Sequence, residues 1–325
     1  MVTFRKLGVW TIGAVYLLIL VGGIVRATGS GMGCPDWPKC FGTWVPPTDI
    51  SQLPANYKEI FGAKLKGEVE FNAVKTWVEY INRLVGVSIG ILIFATFIAS
   101  VRSFWRKDRT IVWLSFIAFI LVGFEGWLGS KVVSTELHPV MITLHMLLSV
   151  IIVFVLLYAV ARSYNSVLEV EDIKESFSIS FLLSLLILLT LGQVLLGTQV
   201  REVVDQVAAI MGEHLRNDWV AQLGGKFELH KWFSLVVLGL HIAFIYRILK
   251  NNAHRGIIYR FSISLITLIA IEMASGLILA YLGLPAYAQP VHLTIAILIL
   301  GVQFVLYLLL NKERVFRGVT AFSSR

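Results

Sequence analysis

His230 and His292 lie in separate long apolar runs, at similar depth from the same end. Neutral imidazole is a common metal ligand, and ionisable groups inside apolar spans are costly enough to be read as functional. Two imidazoles facing each other across a helical bundle make an axial pair for haem iron. A third histidine, His145, holds the place equivalent to His292 earlier in the chain, but Asn82, a poor iron ligand, holds the place equivalent to His230. Glu79 precedes Asn82 by three residues and so shares its helix face, about one turn away. A carboxylate beside a haem edge acts as a proton acceptor or stabilises cationic character in a transition state. The plainer alternative is a wet carboxylate at a helix end.

Other polar residues surround these. Arg26, Arg83, Arg201 and Lys231 sit at the same ends of their runs, placed either to pair with haem propionates or to snorkel to lipid headgroups. Glu125 and Glu272 lie deeper and either accept bonds from neighbouring helices or line a proton route. His241 follows His230 by eleven residues and falls on nearly the same face, about 16 Å further in. No histidine of the fourth or eighth span matches its depth, and Gln303 is the nearest polar candidate, so a second stacked haem is not expected. His138 reads as a helix-end residue before Pro139, and His214 and His254 as solvated loop residues. Cys34 and Cys40, the two cysteines of the chain, flank a Pro-rich turn that can bring the thiols together. They read either as a loop staple or as a redox-active pair.

The elements that carry these groups are membrane spans. The chain has 325 residues, of which 57% are hydrophobic and 15% charged, with a mean hydropathy of +0.79. That excludes a soluble globular domain, a disordered chain and a disulfide-dense scaffold. The net charge of +8 does not point to nucleic acid, because the basic residues cluster between the apolar runs. Eight runs are long enough to span a bilayer, near 7–27, 77–100, 110–130, 138–160, 178–200, 228–249, 260–282 and 289–310. With the N-terminus inside, the inner segments hold 16 basic and 6 acidic residues, a net of +10, and the rest of the chain nets −2. This orients both termini to the cytoplasm, in a bacterial inner membrane. The cysteines then face the oxidising side, in the longest loop, about 28–76.

The chain also repeats itself. Glu125, Gly129 and His145 recur as Glu272, Gly276 and His292, each displaced by 147 positions. Asn82-Arg83 recurs as His230-Lys231 at 148, and Gly22-x-x-Val25-Arg26 as Gly197-x-x-Val200-Arg201 at 175. The expected fold is all-α: two tandem four-helix bundles, 1–165 and 166–325. An even number of spans per repeat places the pseudo-twofold axis along the membrane normal.

Gly22-Gly23-Ile24-Val25-Arg26-Ala27-Thr28-Gly29-Ser30-Gly31, running into Cys34-Pro-Asp-Trp-Pro-Lys-Cys40, and Trp77-Val78-Glu79-Tyr80-Ile81-Asn82-Arg83 resemble the haem A synthase family over nearly the whole chain. The resemblance implies conversion of haem O to haem A by oxidation of a ring methyl to a formyl group. It implies a haem b held by His230 and His292 in the C-terminal half, and substrate haem near Glu79 and His145. The implied partners are haem O, the protohaem farnesyltransferase that makes it (haem O synthase) and the lipid bilayer, with the electron donor and self-association left open. Asn82 departs from the family's Glu-x-x-His-Arg, so one of two substrate-side ligands is missing. The outer segment around 202–226 carries no cysteine pair. An electron-transfer cytochrome b and a haem carrier without chemistry are the competing readings.

Overall fold

The computed structural model describes residues 1–62, 70–170, 176–251 and 256–316. Lys174, Arg255, Arg317, Arg325, Glu171, Asp172 and Glu175 of the charge count, and His254, lie outside these residues. The helices are α1 (Val2–Ala27), α2 (Tyr57–Gly62), α3 (Ala73–Phe104), α4 (Arg109–Ser134), α5 (Pro139–Ser163), α6 (Ser176–Met211), α7 (Gly224–Asn251), α8 (Ile257–Tyr281), α9 (Ala288–Leu310) and α10 (Lys312–Val315). All except α2 and α10 are long and apolar enough to cross a membrane. The chain is an all-α, multi-pass membrane protein, as its composition requires.

Local chemistry sets several helix ends. Asn72 accepts from Lys75 N–H at 3.0 Å and caps α3, and Asp108 accepts from Thr110 N–H at 3.1 Å and caps α4. Asp108 also pairs with Arg162 of α5 at 2.7 Å, joining the start of α4 to the end of α5. Pro139 opens α5 where its missing N–H costs nothing, and His138 is the residue that caps it. The loop expected between the fifth and sixth spans is largely helical. α6 continues eleven residues past its expected end to Met211, and a 3-10 segment follows over Glu213–Gln222. Polar side chains end the part that suits hydrocarbon but do not end helical hydrogen bonding, and Arg201 and Asp205 pair across one turn at 2.7 Å.

Three apolar clusters organise the packing. One, around Ile93, Ala118 and Val153, joins α1, α3, α4 and α5. A second, around Leu183, Phe244, Leu265 and Leu306, joins α6 to α9. The third, with Met146, Val150, Val194, Ile297 and Leu300, forms a seam between them. At the seam α1 and α9 approach closely. A Cβ on Gly23 would stand 2.9 Å from Pro290, and one on Gly301 would meet the Tyr16 hydroxyl. Small residues at such crossings let backbones approach in lipid, where packing rather than hydrophobicity drives association.

Candidate functional site

The first part of the site is the loop between α1 and α3 and the first turns of α3 beneath it. Cys34 and Cys40 form a disulfide, and both are fully buried under Phe41 and Tyr57. Asp36 closes the turn by accepting from Phe41 N–H at 2.6 Å and Gly42 N–H at 2.8 Å. The first turns of α3 hold this loop from below. Thr76 Oγ1 donates to Gly33 O at 2.8 Å, Trp77 Nε1 to Pro47 O at 3.2 Å and Tyr80 OH to Trp44 O at 2.5 Å. Gly33 lies flush on the α3 backbone at Lys75 and Thr76, leaving no room for a side chain.

Glu79 and Arg83 complete the clamp. Glu79 is 3% exposed, and its Oε2 accepts from Cys34 N–H at 2.8 Å while Oε1 pairs with Arg83. Arg83 donates to Asp36 O at 2.7 Å, Lys39 O at 2.9 Å and Cys34 O at 3.2 Å. The guanidinium considered for a propionate thus binds loop carbonyls. Sequence reasoning missed Thr76, Trp77 and Tyr80. Their spacing with Glu79 and Arg83, three or four residues apart along one face, was the available signal.

The histidines lie beside glycines. The ring of His230 on α7 stands against Gly197 of α6, that of His292 on α9 against Gly276 of α8, and that of His145 on α5 against Gly129 of α4. In each case a glycine Cβ would be 3.4 Å from the imidazole Cε1. Asn82 Oδ1 is 4.0 Å from the equivalent point at Gly22 of α1, buried and without a hydrogen-bond partner. Four positions related by the sequence repeat are therefore related in space by the same helix-to-helix contact.

His230 and His292 come together, with ring centroids 6.4 Å apart and planes inclined at 74°. Imidazole nitrogen binds a first-row metal at about 2.0–2.1 Å, so two rings sharing one ion have centres about 6 Å apart. The pair fits a haem iron whose remaining ligands are porphyrin nitrogens. Among the described residues no three His, Cys, Asp or Glu side chains converge as a metal-ion group, so a four-ligand protein site is not formed there. Gln193 Nε2 donates to His230 O at 2.9 Å and fixes that turn of α7.

The deep carboxylates adjoin the histidines. Glu125 Oε1 is 3.3 Å from His145 Nδ1, and Glu272 Oε1 is 3.2 Å from His292 Nδ1. Ser275 Oγ adds a 2.9 Å bond to His292 Nδ1, where the first half has Leu128. His241 is separate from these and buried. Its Nδ1 bonds Val237 O at 2.8 Å, and Gln303 Nε2 reaches both His241 Nε2 at 2.7 Å and Thr190 Oγ1 at 3.0 Å.

The remaining cations meet protein partners. Arg26 of α1 pairs with Asp205 at 3.0 Å, and Arg201 donates to Gln289 Oε1 at 2.6 Å and to Arg26 O at 3.3 Å. With the Arg201–Asp205 pair, this ties the end of α1 to α6 and to the start of α9. Lys231 pairs with Glu228 at 2.7 Å beside a cleft of about 350 Å³ lined by Phe227, Ala280 and Tyr281.

The sequence profile of the family described as "Cytochrome oxidase assembly protein" (COX15-CtaA) matches residues 5–304. A protein named "Heme A synthase" from Shewanella oneidensis is 28% identical over 183 residues, 56% of this chain and 52% of that protein, so the chain spans about half of that relative. One of the same name from Rickettsia bellii is 23% identical over 337 residues, 92% of this chain and 96% of that protein. A third, from Nitrosomonas eutropha, is 34% identical over 131 residues, 38% of this chain and 36% of that one. With a match that runs from the first span into the eighth, the chain belongs to the COX15-CtaA family of cytochrome oxidase assembly proteins.

Proposed function

We propose that this chain is a haem A synthase, an oxidoreductase that takes haem O and oxidises a ring methyl to a formyl group, giving haem A for terminal oxidases. The carrying observation is the pair of imidazoles at axial spacing, His230 and His292, repeated in the first half as His145 with Asn82. The pair suits a resident haem b, and the single imidazole suits a substrate that enters and leaves. The architecture we infer is two four-helix halves, 1–165 and 166–325, about a pseudo-twofold axis along the membrane normal. Both termini face the cytoplasm of a bacterial inner membrane. Haem O synthase is the expected supplier of substrate.

His230 and His292 would hold haem b, which supplies single-electron transfer when bound. His145 binds the substrate iron and orients the porphyrin. Glu79, one turn from Asn82 and fixed by Arg83 and the Cys34 N–H, stabilises charge at the reacting carbon. The disulfide loop roofs this half and excludes water. The substrate methyl takes up oxygen from water and gives four electrons and four protons to an external acceptor in two steps, first to the alcohol and then to a hydrate that loses water to the aldehyde. Asn82 favours a second reading, a haem carrier, because one imidazole releases haem more readily than two.

Co-expression with a protohaem farnesyltransferase, haem extraction and mass analysis separate these readings. The synthase yields a formylated, farnesylated haem that disappears in His292→Ala and Glu79→Ala chains. A carrier or an electron-transfer cytochrome leaves haem O unconverted.

A further inference from the structure

We infer that Glu125 and Glu272 are positioning residues that set the ring orientation of His145 and His292, a deduction that rests on the haem-ligand reading above. The same arrangement occurs twice. A carboxylate on one helix lies 3.2–3.3 Å from Nδ1 of the histidine on the next. The glycine one turn beyond that carboxylate is in contact with the ring Cε1. The imidazole is wedged between the two, Nδ1 toward the carboxylate, and Nε2 is the nitrogen left for iron. An N–H donated from Nδ1 fixes the tautomer that presents an Nε2 lone pair and makes the ring a more basic ligand.

A second observation independently asks for a role. Oε2 of both Glu125 and Glu272 is buried without a hydrogen-bond partner, at a depth where such groups are expensive. Packing alone does not explain a carboxylate retained there at both repeat positions. The halves also differ: His292 Nδ1 has a 2.9 Å hydrogen bond with Ser275 besides Glu272 at 3.2 Å, whereas Leu128 leaves His145 Nδ1 with Glu125 at 3.3 Å and no formed hydrogen bond. The first ring is therefore held by one contact and the second by two.

The test uses the full chain purified with its haem, comparing wild type with E272A, E272Q, E272A/S275A and H292A. The readouts are haem b per chain, the low-spin spectrum and the midpoint potential. Expected for E272A is a six-coordinate haem with an upward-shifted potential and weaker retention. E272A/S275A is expected to lose retention by about 10–100-fold, the usual cost of removing outer-shell partners. E272Q keeps an acceptor oxygen and restores retention. Wild-type potential and retention in E272A and in E272A/S275A, with haem lost in H292A, overturns the positioning role. Unchanged low-spin haem in H292A overturns the ligand reading instead. If E272A does not assemble, E272M, which keeps the volume without an oxygen acceptor, decides: wild-type potential and retention there overturn the inference, and an upward shift with weaker retention supports it.

Discussion

Glu79 accepts the backbone N–H of Cys34 at 2.8 Å, so the carboxylate proposed to serve the reaction also fastens the disulfide loop. The two duties separate by substitution. Glu79→Ala leaves Arg83 with carbonyl partners but no carboxylate, a loss of up to about 3–5 kcal/mol for a broken buried pair. The 34–40 loop should then become protease-sensitive while haem b stays bound. Glu79→Gln keeps an acceptor for Cys34 and removes the charge. Its loop should stay resistant to limited proteolysis while conversion of haem O falls about 100-fold or more. Wild-type conversion in Glu79→Gln would reduce Glu79 to a loop clamp.

Asn82→His is expected to convert the first half to two-imidazole ligation. Gly22 leaves the space, since its Cβ position is 4.0 Å from Asn82 Oδ1. Low-spin haem per chain should rise from about one to about two when haem is supplied in excess, with slower exchange of the added haem. An unchanged ratio, read by optical and paramagnetic resonance spectra, would mean that position 82 does not face the substrate iron.

A side chain at Gly276 should displace His292. The Cβ position is 3.4 Å from the ring Cε1, so valine forces the imidazole off its line with His230. Gly276→Val is expected to reduce haem b content severely. Gly90→Val is the control, because nothing lies within 4 Å of its Cβ position. Equal haem content in the two chains would show that the glycine contact does not seat the ligand.

Both cysteines are wholly buried, which predicts slow chemistry at the disulfide in the folded protein. In mild detergent, reductant followed by a maleimide should label little, and in denaturing detergent it should label both thiols. Cys34→Ser with Cys40→Ser should lower stability by about 2 kcal/mol, the entropy of so short a closed loop. Rapid labelling in mild detergent would instead identify an accessible, redox-active pair.

Spans and repeat were legible because each depends on residue type and spacing alone. The eight apolar runs became eight helices, and the 147-residue displacement anticipated that Glu125 would stand to His145 as Glu272 stands to His292. The direction of those carboxylates was not legible, because helix rotation decides whether a polar side chain meets a neighbour or a proton path. Arg26 and Arg201 met Asp205, a residue expected in a loop, because α6 continues beyond its apolar stretch. Hydropathy marks where hydrocarbon ends, and it is silent on where a helix does.

Two sets of helix ends are roofed by different means. Over the first lies a loop stapled by Cys34 and Cys40. Over the second lies the Glu213–Gln222 segment, pinned by Trp219, which is 2% exposed among Val204, Val207 and Leu284. The first roof depends on a sulfur oxidation that only certain compartments permit, and the second on burial alone. A chain held where thiols stay reduced would lose the staple of the first roof, while the second, built on Trp219, would pack unchanged.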